Sequence, residues 1–151
     1  MEQRGELRLP ARTPPSATDP TVRVGPLMSI PGLLREFEYD PEAVLASVGL
    51  DIEKFFDPDT EVPYFAASRL LARCVSVTGC EHFGLLVGMR AGPSSLGVAG
   101  FMLGSASDVA TALHDLQQHL NLHDQGGMLV LRTEEDIVLL GYAIQEPRAE
   151  A

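Results

Sequence analysis

The stretch 94–124, SSLGVAGFMLGSASDVATALHDLQQHLNLHD, constrains the fold most, because a run of small residues leads there into one long amphipathic helix with a clear start. From Val109, apolar side chains recur at Leu113, Leu116 and Leu120, with Ala112 beside them, and at about 100° per residue they form one stripe. Thr111, Asp115, Gln118 and Asn121 fall mostly opposite. Ser107 and Asp108 stand just before the first periodic residue, where a side-chain oxygen can accept a free backbone N–H and an acid suits the positive end of the helix. Gly126 and Gly127 mark its end.

A chain of 151 residues, 45% of them hydrophobic, supports one domain with a sizeable core. The net charge of −10, with 11 Lys and Arg scattered along the chain, argues against binding a phosphate backbone, a contact made largely by clustered cations. Cys74 and Cys80 are too few for a disulfide scaffold and have no zinc-ribbon spacing, so they read as reduced thiols of a cytoplasmic protein. No apolar run reaches the length of a membrane span, and MEQRGELRLP lacks the apolar centre of a secretion signal. The segment 1–25, rich in Pro and Arg and poor in large apolar residues, is expected to be a disordered tail. One folded domain is expected over 26–146, with a second tail over 147–151.

Short helices are expected next. Leu33, Leu34 and Phe37 share helical spacing within 30–37, and Asp40-Pro41-Glu42 reads as a cap, a first-turn proline and a first-turn acid before a helix stopped by Gly49. Asp51 can cap one more turn before Asp57-Pro58-Asp59 breaks it. The acids of 36–61 lack the alternation and central glycine of a calcium loop, and helix starts explain them better. Pro63 opens, and Gly79 closes, a largely apolar helix whose polar stripe is Arg69, Arg73 and Ser76. Arg69 and Arg73, one turn apart, are a solvated edge or a grip for an anion. Cys74 reads as a buried hydrophobe and Cys80 as accessible. In HFGLLVGM, Gly84 and Gly88 predict close backbone approach to another helix. GVAGFMLG follows a turn and not a strand, and has no lysine, which argues against a nucleotide loop.

The segments 128–133 and 137–144 read as strands joined by Glu134-Glu135-Asp136. The second, IVLLGYAI, is apolar on both faces, and a lone hairpin is marginal in water. Either two copies pair their edges or the rest of a longer protein completes the sheet. The fold class expected is α+β: a mostly helical N-terminal part, with several short and two longer helices, followed by a C-terminal β-hairpin of an incomplete sheet.

In unbroken order, PGLLREFEYDPEAVLASVGLD, VPYFAASRLLARCVSVTG, EHFGLLVGM, SLGVAGFMLGSASDVATALHDLQQHLNLHD and LLGYAI resemble the N-terminal effector-sensing domain of AraC/XylS-type bacterial transcription regulators, in the branch labelled arabinose-binding. The helices that dominate here do not resemble the β-barrel sensor of the arabinose regulator itself. Family members continue into a basic pair of helix-turn-helix units that this chain does not contain, so the resemblance implies a sensor that controls DNA binding through a separate part. It does not make arabinose the effector, since fold and ligand are separable.

His119 and His123, four apart, border the apolar stripe near Leu116, while His114 points to the polar side. Such a pair can share a metal only with further ligands, and no HExxH-type glutamate accompanies it, so no metal or cofactor is expected, with a metal- or haem-binding sensor as the lesser alternative. The candidate ligand-contact residues are Phe101, His119, His123, Tyr142, Arg69 and Arg73. Ser94, Ser95, Ser105 and Ser107 lie outside any nucleophile elbow, and no catalytic residue is expected. The partners expected are a small-molecule effector and either a second copy or a full-length regulator, with no membrane.

Overall fold

The computed structural model describes residues 20–134 and 137–144. Among these residues are two small antiparallel sheets and six α-helices, an α+β arrangement whose last element is a hairpin. The expected tails over 1–19 and 147–151 lie outside the described residues. The inner end of the expected N-terminal tail belongs to the fold: β1 (Thr21–Arg23) pairs with β2 (Glu61–Pro63), Val22 opposite Val62. Val24 behind it is fully buried, so the few apolar residues of this segment repay its ordering by joining the core.

Local signals set the next elements. Helix α1 (Ile30–Glu36) carries Pro31 in its first turn, and α2 (Pro41–Ala46) starts where the Asp40 carboxylate accepts the Glu42 N–H at 3.0 Å. The turn at Ile52–Phe55 is a single 3-10 turn that Asp51 does not cap. Helix α3 (Tyr64–Thr78) ends at Gly79, whose φ of +66° suits a residue without a Cβ. Helix α4 (Phe83–Arg90) packs Phe83 against the Phe37 ring, centroids 5.9 Å apart. Ile30, Leu33, Leu34, Leu45, Leu50, Val62, Leu70, Cys74 and Phe83 form the core, which therefore sits in the N-terminal two-thirds.

Two further expectations fail. A Cβ on Gly84 or Gly88 would meet open space, so these glycines are exposed and serve no close helix contact. Cys80 is buried like Cys74, because the Thr78 hydroxyl accepts its N–H and folds the chain back past Gly79.

The C-terminal third is leaner. Helix α5 (Val98–Ser105) buries only Ala99 and Gly100, and α6 (Val109–His119) buries no residue fully. Asp108 caps α6 by accepting the Thr111 N–H at 2.8 Å, which also holds its carboxyl below the usual range. Strands β3 (Gly127–Glu134) and β4 (Ile137–Ile144) form a hairpin in which Leu129 faces Tyr142. Helix α6 lies along β3, whereas the large apolar side chains of β4 stay exposed on both faces among the described residues.

Candidate functional site

Beyond α6 a 3-10 turn at Leu120–Leu122 tightens the chain and turns His123 and Asp124 inward, each only 6% exposed. The two then lie against β1. Arg23 N–H donates to the His123 carbonyl at 3.0 Å, Gln125 N–H to the Thr21 carbonyl at 2.9 Å, and Val22 bridges Asp124. The Arg23 side chain donates to the Leu122 carbonyl at 3.1 Å and pairs with Asp59 at 2.8 Å.

Asp124 is the hub of this junction. One carboxylate oxygen accepts the N–H groups of Gly126 and Gly127 at 2.8 and 2.9 Å, and the other accepts the Tyr142 hydroxyl. Tyr142 has one proton to give, so the Tyr64 hydroxyl, 3.0 Å away, donates to Tyr142. Burial and then the Asp124 carboxylate push the Tyr142 hydroxyl far above its ordinary value, which keeps it a neutral donor. A Cβ on Gly126 would collide with the Tyr64 ring, and one on Gly127 with the Tyr142 hydroxyl. The relay thus ties β4 to the start of α3 through two positions that admit only glycine.

His123 is buried with its Nδ1 unpartnered among the described residues. Burial lowers its pKa, nearby Arg23 lowers it further, and Asp124 opposes both. His119 Nδ1 lies 2.9 Å from the Asp115 carbonyl and must donate to it. The helix ends at His119, so the two histidines leave the shared helical face that their spacing suggested.

Between α6 and β3 runs a groove of about 410 Å³, lined by His114, Gln117, Gln118, Leu120, Asn121, Gly127, Met128 and Leu129. Gln117 donates to the Leu129 carbonyl at 3.2 Å, and Gln118 to His114 Nε2 at 2.7 Å. Among the described residues, no Asp, Glu, Lys or Arg lines it. The amides, which both donate and accept, suit a ligand with hydroxyl or amide groups.

Of the residues singled out in the sequence, Tyr142 and His123 meet at the Asp124 junction and His119 stands at the end of α6. Phe101 is 77% exposed on α5, and Arg69 and Arg73 are exposed on α3 without an ion-pair or hydrogen-bond partner among the described residues. The structure does not gather the six into one site. Sequence reasoning missed Tyr64, Asp124, Gln117 and Gln118. Asp124-Gln125-Gly126-Gly127 is an Asx-turn pattern that could have drawn attention to Asp124.

A family model for the arabinose-binding domain of AraC transcription regulators, N-terminal, matches residues 39–151. The chain belongs to this family. It is a regulatory sensing domain of the AraC type, and the match begins just before α2 and takes in α2 to α6, the relay of Asp124, Tyr142 and Tyr64, the groove and the hairpin. A search of the curated proteins found no match. Among the described residues, no single helix of the domain is long and apolar enough to cross a membrane.

Proposed function

We propose that this sensing domain binds a neutral, hydrogen-bonding small molecule in the groove between α6 and β3, and that it performs no chemistry on it. The observation that carries this reading is the groove's lining: amides and an imidazole around Leu120, Met128 and Leu129, with no Asp, Glu, Lys or Arg among the described residues to hold or repel a charged ligand. The domain works in the cytoplasm and passes the binding event to a helix-turn-helix unit of its regulator. The route runs through β3 and β4 to the Asp124, Tyr142 and Tyr64 relay, the hairpin's polar tie to the helical body. A ligand wedged against β3 favours one of two hairpin positions, and the difference in affinity sets the size of the response.

Thermal shift against a panel of neutral polar metabolites tests the proposal, because a ligand that binds only the folded form raises the melting temperature. Hits that disappear in Gln117→Ala support it. Hits confined to charged compounds, or indifferent to that substitution, contradict it.

A second reading has its own observation. Every large side chain of β4 is exposed, and no charged residue interrupts 137–144, so the strand offers an unprotected edge to a second copy or to a full-length regulator. Light scattering at rising concentration should show dimers that the charged-edge variant Leu140→Lys abolishes. A strict monomer refutes it.

A further inference from the structure

Among the described residues, β3 pairs on one side only, with β4, and its other edge carries no strand. In an antiparallel pair, alternate residues exchange both main-chain hydrogen bonds with the residue opposite, and the residues between them turn their groups outward. Gly127 marks the outward set, because its N–H donates to the Asp124 carboxylate at 2.9 Å. Leu129, two residues on, is in the same phase, and its carbonyl accepts the Gln117 side-chain amide at 3.2 Å. The main-chain groups of Gly127 and Leu129 therefore point away from β4, and both residues line the groove.

Two of these outward groups are taken, the Gly127 N–H by Asp124 and the Leu129 carbonyl by Gln117. The Gly127 carbonyl and the Leu129 N–H have no partner among the described residues. They flank Met128 on one edge of the strand, the spacing at which one residue of a parallel neighbour gives its N–H to the first and receives the second on its C=O. An acceptor and a donor so placed match an amino-acid residue with an amide on each side. The Gln117 carboxamide shows the chemistry that this edge takes: it is an amide bound where a neighbouring strand would lie.

We propose that the effector of the groove is a peptide unit, a neutral N-acylated amino-acid amide that lies along β3 as one residue of a third strand, its N–H donating to the Gly127 carbonyl and its C=O accepting from the Leu129 N–H. Leu120 and Met128 give its side chain an apolar wall, so an aliphatic residue suits the position. The inference rests on the groove being the effector site and names the chemical class that fills it.

The test is a titration of the ¹⁵N-labelled chain with N-acetyl-leucine N′-methylamide, with its analogue methylated at the leucine nitrogen, and with methyl glucoside as a neutral polyol. The capped leucine should shift the amides of Gly127, Met128 and Leu129 saturably and move the Leu129 amide proton downfield as it gains an acceptor. The methylated analogue has no donor for the Gly127 carbonyl and should bind about tenfold more weakly, the loss of one hydrogen bond. All three compounds meet the same folded chain, so no variant can mislead by failing to fold. Equal binding of the two leucine compounds, or shifts confined to surfaces away from β3, overturns the inference. Methyl glucoside binding in the groove where the capped leucine does not bind also overturns it, and leaves the groove standing as the effector site. Binding by none of the three overturns the peptide class, while the groove itself is judged by Gln117→Ala against the wider panel of metabolites.

Discussion

The Tyr142 hydroxyl donates to the buried Asp124 carboxylate and accepts from the Tyr64 hydroxyl, so one side chain of the outer strand joins the hairpin to the helical body. The partners are 18 and 78 residues away in the chain. Removing this hydroxyl leaves the buried carboxylate oxygen without its donor. Tyr142→Phe should cost about 1–3 kcal/mol in urea unfolding, the penalty for stranding a buried polar group. Hydrogen exchange should rise in β3 and β4 and stay low in α3. An unchanged hairpin would show that the relay does not hold it.

The glycines of the chain should separate into two groups. Gly126→Ala and Gly127→Ala force a Cβ into the Tyr64 ring and the Tyr142 hydroxyl, and both should destabilise the domain and loosen the hairpin. Gly84→Ala and Gly88→Ala meet open space inside α4 and should each stabilise it by about 0.5–1 kcal/mol. Melting temperatures of the four variants check this, and equal signs for the two pairs would refute it.

His123 gives the stability a pH dependence. Burial holds its folded pKa below the ordinary 6.5, so the unfolded chain binds the proton more readily and protonation favours unfolding. Its contribution is fully present above about pH 6.5 and is lost as the pH falls through that value toward the lower folded pKa. Asp108, whose carboxyl is held below the ordinary 3.8, acts only at more acidic pH. Urea unfolding between pH 7 and pH 5 should show the decline in the parent chain and a flatter profile in His123→Leu.

Both thiols should be protected in the folded state. Cys74 is fully buried, with burial pushing its thiol up to about 11, and Cys80 is buried behind Gly79. A thiol reagent at pH 8 should label neither under native conditions and both in denaturant. Rapid native labelling of Cys80 would contradict the packing of the 78–80 turn.

The elements that were legible in the sequence are those set by neighbours a few residues apart. Asp40-Pro41-Glu42 starts α2, Gly79 ends α3 and Asp108 caps α6, each through a bond spanning at most four residues. The pairing of Thr21–Arg23 with Glu61–Pro63 was not legible, since three-residue strands carry no periodicity and their partners lie 40 residues apart. His123 was misplaced for a geometric reason: the spacing rule assumes 3.6 residues per turn, and the 3-10 turn at Leu120–Leu122 rotates it off the His119 face and into the junction. The polar face of α6 was legible, but not that Gln117 and Gln118, with His114, line a groove against β3. The glycines of α4 show the opposite error, a local signal read as a tertiary contact that does not exist.

The most direct test of the account is to map where effectors land. The ¹⁵N-labelled domain is titrated with neutral polar metabolites, and the shifts of each saturable binder are placed on the fold. The account predicts shifts concentrated at Gln117, Gln118, Gly127, Met128 and Leu129, lost in Gln117→Ala with the fold intact. Binders that shift other surfaces, or bind as tightly without Gln117, would contradict the assignment of the α6 and β3 groove as the sensing site.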